Sequence, residues 1–533
     1  MVDFYSLGFV LFLGLCLLCY YTVFRKKQWM VALSASLAFY LYAGGKNILA
    51  LLFTAITIYW AARSMDREEE KGKAREEQAK KDPFLGELSA SEKREQKRLR
   101  KQKVKREKRI YLYSALFLNL LILCYTKYWT VLFHHRLGLL LPLGISFYTF
   151  QSIGYLIDIY NGKYEAEKSF PKYLLFVSWF PQLLQGPIGR YDALAHQFTE
   201  EHRLSGTMVK NALFLILLGC LKKYAIADLL YDPVARILDG PVAENPGSLT
   251  VFGILLYSAQ QYADFSGGID MVTGISALFG ITLAPNFRQP YFATSLGDFW
   301  RRWHISLGAF MRDYIFYPLA LTKPMMDLGK KAGQKYGKHI GRVLPACIAN
   351  IVVFIVVGVW HGPQFHFLVW GLYNGIVIAL GDLLEPCFSG LSKRCKIPVE
   401  SKGFHVFRII RTFVVVNIGW YFDRIEDVST AFVGLWRSLS SFQADQFVFA
   451  VRNTLFNSAT VKPIYMAGSF CIAAVSILLI FVISLFRERG KDPVEVLEKS
   501  IPIHVVAVTA MLFLTLLSFM FVQNAGGFLY ANF

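Results

Sequence analysis

Charge is what this sequence has little of. Of its 533 residues only 18% are Asp, Glu, Lys or Arg, while 54% are apolar and the mean hydropathy is +0.38. A soluble globular chain is nearer 45–50% apolar and about a quarter charged. The shortage excludes a disordered chain and argues against a soluble enzyme. Cysteine is sparse as well. Cys16, Cys19, Cys124, Cys220, Cys347, Cys387, Cys395 and Cys471 are scattered, which excludes a disulfide scaffold. Cys16-x-x-Cys19 has redox spacing, but it sits in an apolar helix with no basic neighbour and reads as buried apolar cysteine. No HExxH and no paired CxxC occurs, so no metal site is expected. A phosphate-binding Gly-rich loop and a G-x-S-x-G elbow are missing too, which leaves ATP-driven transport and serine hydrolysis without residues to carry them. The chain shows no internal repeat, a mark against a secondary transporter. The remaining chemistry is histidine-centred transfer.

What the chain has is apolar runs. At ~20 residues per crossing its roughly 290 apolar residues suffice for ten to twelve spans. Spans are expected near 4–24, 29–43, 47–62, 110–133, 138–160, 207–228, 249–266, 343–360, 366–384, 404–422, 466–485 and 504–522. The first run lacks a basic n-region and a small-residue cleavage site, so it reads as a span rather than a cleaved signal. The stretch 170–188, with Pro171, Pro181 and Pro187, reads as re-entrant. The stretch 267–320 is rich in Gly, Pro, Asn and Arg, and short re-entrant or interfacial helices are expected there.

The net charge of +19 invites a nucleic-acid reading, but its distribution does not. Residues 63–109 hold 29 of the 95 charged side chains, 18 of them basic. The other basic residues cluster in short loops, such as 321–342 with six Lys or Arg against one Asp. That is the positive-inside pattern of a multi-pass membrane protein, with both termini outside and no nucleic-acid partner. Segment 63–109 is expected to be a solvated charged helical hairpin or a disordered loop. A contact with acidic lipid or with a partner stays open.

Ionisable groups in apolar surroundings are costly and usually mark a site. The densest group runs from Asn286 and Arg288 to Asp298, Trp300, Arg301, Arg302, Trp303 and His304. On one helix Asp298 and Arg302 are i,i+4 and Arg301 and His304 are i,i+3, which would set the imidazole beside guanidinium. The group is either a site or a salt-bridge cluster pinning a re-entrant helix. The second feature is Trp360-His361-Gly362-Pro363. His361 ends a long chargeless helix, either as a proton acceptor near neutral pH or as a helix C-terminal cap. His366 is a weaker candidate. Gln151, Asp264 and Ser266 are polar groups at membrane depth, lining a tunnel or bonding helix to helix.

These motifs resemble a known family. PNFRQPYFATSLGDFWRRWHISLGAFMRDYIFYP within 264–318 and VWHG at 359–362 are similar to the signatures of the membrane-bound O-acyltransferase (MBOAT) family. LPLGISFYTFQSIGYLIDIY at 141–160 and FPQLLQGPIGR at 180–190 resemble its alginate O-acetyltransferase and teichoic-acid D-alanyl transfer branch. GWYFDRIEDVSTA at 419–431 resembles the alginate type. The resemblance implies an all-α polytopic fold, about twelve spans plus re-entrant helices around a tunnel. It implies N-terminal membrane helices over 1–62, a charged cytoplasmic loop over 63–109, a catalytic core over 110–400 and C-terminal helices with a tail over 401–533. His361 and His304 would be the two functional histidines. Phe528-Leu529-Tyr530-Ala531-Asn532-Phe533 is similar to an F-x-Y-x-x-F tail whose tyrosine would carry the acyl group, unless Tyr530 is an aromatic interface anchor. The implied donor substrate is acetyl-CoA or another acyl thioester, with no bound cofactor. The implied setting is the bacterial plasma membrane, with membrane lipid, an extracytoplasmic SGNH-type acyltransferase or similar transfer protein, and a cell-surface polysaccharide as final acceptor. D-alanyl transfer to teichoic acid and a polysaccharide or ion transporter are the alternatives.

Overall fold

The structure is a computed structural model that describes residues 6–81, 89–133, 142–457, 462–522 and 527. Among them there is no strand. One isolated antiparallel bridge joins Phe287 to Trp303, and the rest is helix and turn. Helix starts follow local chemistry. Ser205, Ser295 and Ser401 accept from the backbone N–H three residues on, and Asp427 from Thr430 N. Each satisfies a donor that a helix N-terminus leaves open.

Among the described residues, six helical segments are long and apolar enough to cross a membrane: Arg25–Ala79, Ser91–Trp129, Lys338–His361, Phe365–Leu383, Pro463–Glu488 and Ile501–Ser518. Other expected spans map onto helices that are shorter or more polar. Leu7–Leu18 has 12 residues, and Gly247–Leu278 carries Gln260, Gln261, Asp264 and Asp270. The chain is a multi-pass, all-α membrane protein.

The chain divides into two compact units. The first takes in Met1–Leu184, Ile188–Leu204 and Phe279–Leu283. Here the charged segment is a helical hairpin, not a loop, in its described part. Helices Ile48–Lys81 and Ala90–Phe133 continue apolar runs straight into charge. Lys97 pairs with Glu76 at 2.6 Å and Lys108 with Glu69 at 3.1 Å. The Pro-interrupted stretch forms two short helices, Phe170–Ser178 and Phe180–Gln185, broken at Trp179.

The second unit comprises Gln185–Pro187, Ser205–Leu278 and Ala284–Phe533. It corrects one sequence expectation. Residues 267–278 are not broken. They continue Gly247–Leu278 as one helix of 32 residues. The glycines there serve close approach: a Cβ on Gly267 would meet the Gly219 carbonyl at 2.9 Å, so this helix lies backbone to backbone against Gly206–Lys222. A second such contact joins Lys338–His361 to Phe365–Leu383. A Cβ on Gly358 would collide with the Phe367 carbonyl, and one on Gly371 with the Phe354 carbonyl. This seam fixes the end of the helix that carries His361.

Candidate active site: two histidines and a cation-lined cavity

His361 is the last residue of Lys338–His361. Gly362 follows in extended conformation, and Pro363 then prevents the helix from continuing. Its imidazole is buried, with ring centroids 4.9 Å from Trp370, 5.1 Å from Trp360 and 5.8 Å from Phe367. Trp360 also reaches the other histidine, 6.3 Å from His304, so one indole neighbours both imidazoles.

His304 does not extend the helix before it, which corrects the expected i,i+3 neighbourhood. Leu296–Arg302 stops at Arg302, and His304 joins it to Ile305–Met311 in the left-handed region at φ 48°. A non-glycine residue held there stores strain, as functional sites commonly do. The segment 286–288 fixes the turn. Arg288 N donates to Arg302 O at 2.9 Å, and Ile305 N to Asn286 O at 3.0 Å. Asn286 Oδ1 accepts from Ser306 N at 3.0 Å and from Ser306 Oγ at 2.8 Å, and lies 3.2 Å from His304 Nδ1. A backbone N–H can only donate, so that atom is the amide oxygen. His304 Nδ1 therefore carries the hydrogen, which leaves Nε2 with its lone pair. Burial pushes the imidazole pKa well below the ordinary histidine range, so the ring is neutral. Such a ring accepts a hydrogen bond or a proton at Nε2 and cannot donate from it.

The guanidinium groups face elsewhere. Arg302 Nε lies 3.2 Å from Asp298, as the i,i+4 spacing predicts, but its Nη1 is 2.8 Å from Glu488. Arg301 is exposed and only 3.8 Å from Asp298. The Arg288 side chain is exposed. Trp300 donates its indole N–H to Asn374 Oδ1 at 3.0 Å. Trp303 is fully buried against Phe287, Phe299 and Trp420.

Trp300, Trp303 and His304 wall a cavity of about 1340 Å³ that also takes in Val357 of the His361 helix. Arg301 lines it with Arg312, Lys393, Lys396, Arg408 and Arg411, against the acids Asp382, Glu385 and Glu400. The lining is thus cationic, and concave walls concentrate such a field on an anionic ligand. Arg302 and His361 are not in this lining.

Phe265 packs on His304 at 4.8 Å, between the buried Asp264 and Ser266. Gln151 belongs to the first unit, where its amide donates to the Phe176 carbonyl. Tyr530 lies outside the described residues. Two groups escaped the sequence reading. Asp423 is buried and accepts from Tyr257 Oη at 2.6 Å and Gln261 Nε2 at 3.0 Å. Lys222 and Lys223 are buried against Asp270 and Asp264. The signal for the lysines was present: two adjacent cations inside the expected span 207–228.

This fold and this site define a class, a multi-pass α-helical membrane protein with two buried histidines, one of which walls a cavity lined mainly by cations. Residues 166–330 match the model of MBOAT, the membrane-bound O-acyltransferase family. The probable alginate O-acetylase of Pseudomonas syringae pv. tomato is 34% identical over 55% of this chain and 50% of its own length. The peptidoglycan O-acetyltransferase of Helicobacter pylori is 30% identical over 61% of this chain and 63% of its own. The teichoic acid D-alanyltransferase of Bacillus subtilis is 27% identical over 58% of this chain and 76% of its own. The chain spans about half the length of the alginate O-acetylases it matches.

Proposed function

We propose that this chain is a membrane O-acyltransferase. It takes an acyl group, acetyl in the first reading, from a cytoplasmic thioester and passes it across the plasma membrane for O-acylation of a cell-surface polysaccharide. The observation that carries the reading is the cavity that reaches His304 under a cationic lining, which suits an anionic acyl thioester such as acetyl-CoA. The similar proteins, named as O-acetylases, O-acetyltransferase and D-alanyltransferase, support this reaction class.

In this reading His361 is the general base and Tyr530 the acceptor. A tyrosine phenol has a pKa near 10 and needs a base to act as nucleophile. His361 takes the phenolic proton while the oxygen attacks the thioester carbonyl. The C–O ester bond forms, the C–S bond breaks, and the leaving sulfur takes the proton back from the imidazolium. His304 positions the donor by accepting a hydrogen bond at Nε2. An extracytoplasmic SGNH-type transferase then moves the acyl group from Tyr530 to the polymer.

Surface-polymer O-acylation in His361→Ala and Tyr530→Phe strains tests this reading, and both should lose it at normal protein levels. Full acylation in the His361→Ala strain sinks the mechanism. The Bacillus subtilis similarity favours a second donor, a D-alanyl carrier thioester. The acylated C-terminal peptide distinguishes them, heavier by ~42 Da for acetyl and ~71 Da for D-alanyl in a covalent intermediate.

A further inference from the structure

Two helices of the second unit, Gly206–Lys222 and Gly247–Leu278, enclose charges that an apolar interior makes expensive. Lys222 Nζ donates to Asp270 at 2.6 Å. Lys223 Nζ lies 2.6 Å from Asp264 Oδ1 and 2.9 Å from Asp228 Oδ1. All of these but Asp270 are buried. The local backbone explains the pairing. Lys223–Asp228 is a turn of π-helix, whose i→i+5 closure brings residues five apart into register. An α-helix would send Lys223 and Asp228 to different faces.

A further partner of Lys223 comes from far along the chain. Its Nζ donates to the Gly527 carbonyl at 3.3 Å. Two of the residues just beyond Ile501–Ser518 are anchored nearby. Phe519 packs on Tyr224 at 5.2 Å, and Ser469 Oγ donates to the Phe521 carbonyl at 3.3 Å. Asp264 is also next to Phe265, whose ring packs on His304.

We propose that the buried Lys223–Asp228–Asp264 cluster is the docking site of the chain's own C-terminal tail, gripping it at Gly527 and so setting the reach of Tyr530. Lys223 is then a positioning residue, since it acts through the tail and does not line the cavity. Three residues from Gly527 to Tyr530 span at most about 10 Å of extended chain. A fixed Gly527 therefore confines the phenol to a small volume. The role of Tyr530 rests on the reading above, whereas the docking does not.

The test uses the full chain in detergent micelles. Carboxypeptidase digestion followed by mass spectrometry reads how fast residues 533 to 528 are lost. Lys223→Met combined with Asp228→Asn and Asp264→Asn removes the cluster without stranding a charge. It should speed the loss about tenfold, as expected when a charged hydrogen bond disappears. Unchanged release at an unchanged thermal midpoint overturns the docking. A second measurement leaves the cluster intact. A chain ending at Val522 should expose Lys223 to a small amine-reactive ester, with labelling about tenfold above the full chain. Equal labelling in both chains also overturns the proposal. Tyr530→Phe separates the two ideas. Full acylation with a protected tail removes the tyrosine's role and leaves the docking standing. Lost acylation together with a tail that the triple variant does not expose removes the docking alone.

Discussion

The charged hairpin of the first unit and the charged cluster of the second are built from the same residue types and follow opposite physics. In the hairpin Lys81 and Glu77 are 3.7 Å apart with side chains 78% and 72% exposed. In the cluster Lys223 and Asp264 are 2.6 Å apart at 5% and 2%. Water solvates the first pair whether or not it forms, so its net worth is about 0–1 kcal/mol. Taking the second pair out of water costs several kcal/mol per ion, which close geometry must offset. Abundant charge therefore says where solvent is, and scarce charge says where position matters.

The largest test of that contrast is Lys223→Met alone. It leaves Asp228 and Asp264 buried without their cation, and breaking a buried pair in this way typically costs about 3–5 kcal/mol. Thermal unfolding in detergent should show a large loss or no folded protein. Most of the stability should return when both aspartates become asparagine. A single variant as stable as wild type would mean that water reaches the cluster, and the contrast would collapse.

Local sequence carried part of this site and hid the rest. His361 was legible because a chargeless helix, a histidine and Gly362-Pro363 are consecutive. The Asp298–Arg302 pair was legible because helical spacing alone dictates it. The surroundings of His304 were not, because its clamp, Asn286, lies 18 residues away and the turn between depends on a long-range bridge. Lys223 was hidden for another reason. The pair lies inside the expected span 207–228 and was passed over there, and the close packing of Gly219 against Gly267 sets its helix against the one that carries Asp264 and Asp270. Glycines misled in the same way at 267–278, where they mark close helix contact rather than a break.

Asn286→Ala comes next in size. It leaves the Ser306 N–H and hydroxyl without their acceptor and releases His304 Nδ1. Stranding buried donors costs about 1–3 kcal/mol, and displacing a positioned group can lower the rate as much as roughly 100-fold. Surface O-acylation should fall far more than protein level does. An equal fall in both would make the clamp purely structural. Glu488→Gln is intermediate, because it removes one of two acidic partners of the partly buried Arg302 while Asp298 remains. About 1 kcal/mol is expected, the upper end for such a pair, read as a small drop in the thermal midpoint with acylation retained.

The smallest effect belongs to the hairpin, where Lys97 and Glu76 make a 2.6 Å pair with Lys97 more than half exposed. Short distance alone would rank this pair with Lys223–Asp264, so it isolates the role of solvent. Lys97→Gln should change stability by no more than about 0.5 kcal/mol, because both groups regain hydration when the pair opens. The effect should also vanish in 1 M salt, where the Debye length falls to about 3 Å. The Lys223→Met loss should persist in the same salt, since screening ions do not enter a buried cluster. A salt-insensitive loss in Lys97→Gln would show that the hairpin charges hold structure as the buried ones do, and that distance rather than burial separates the two regions.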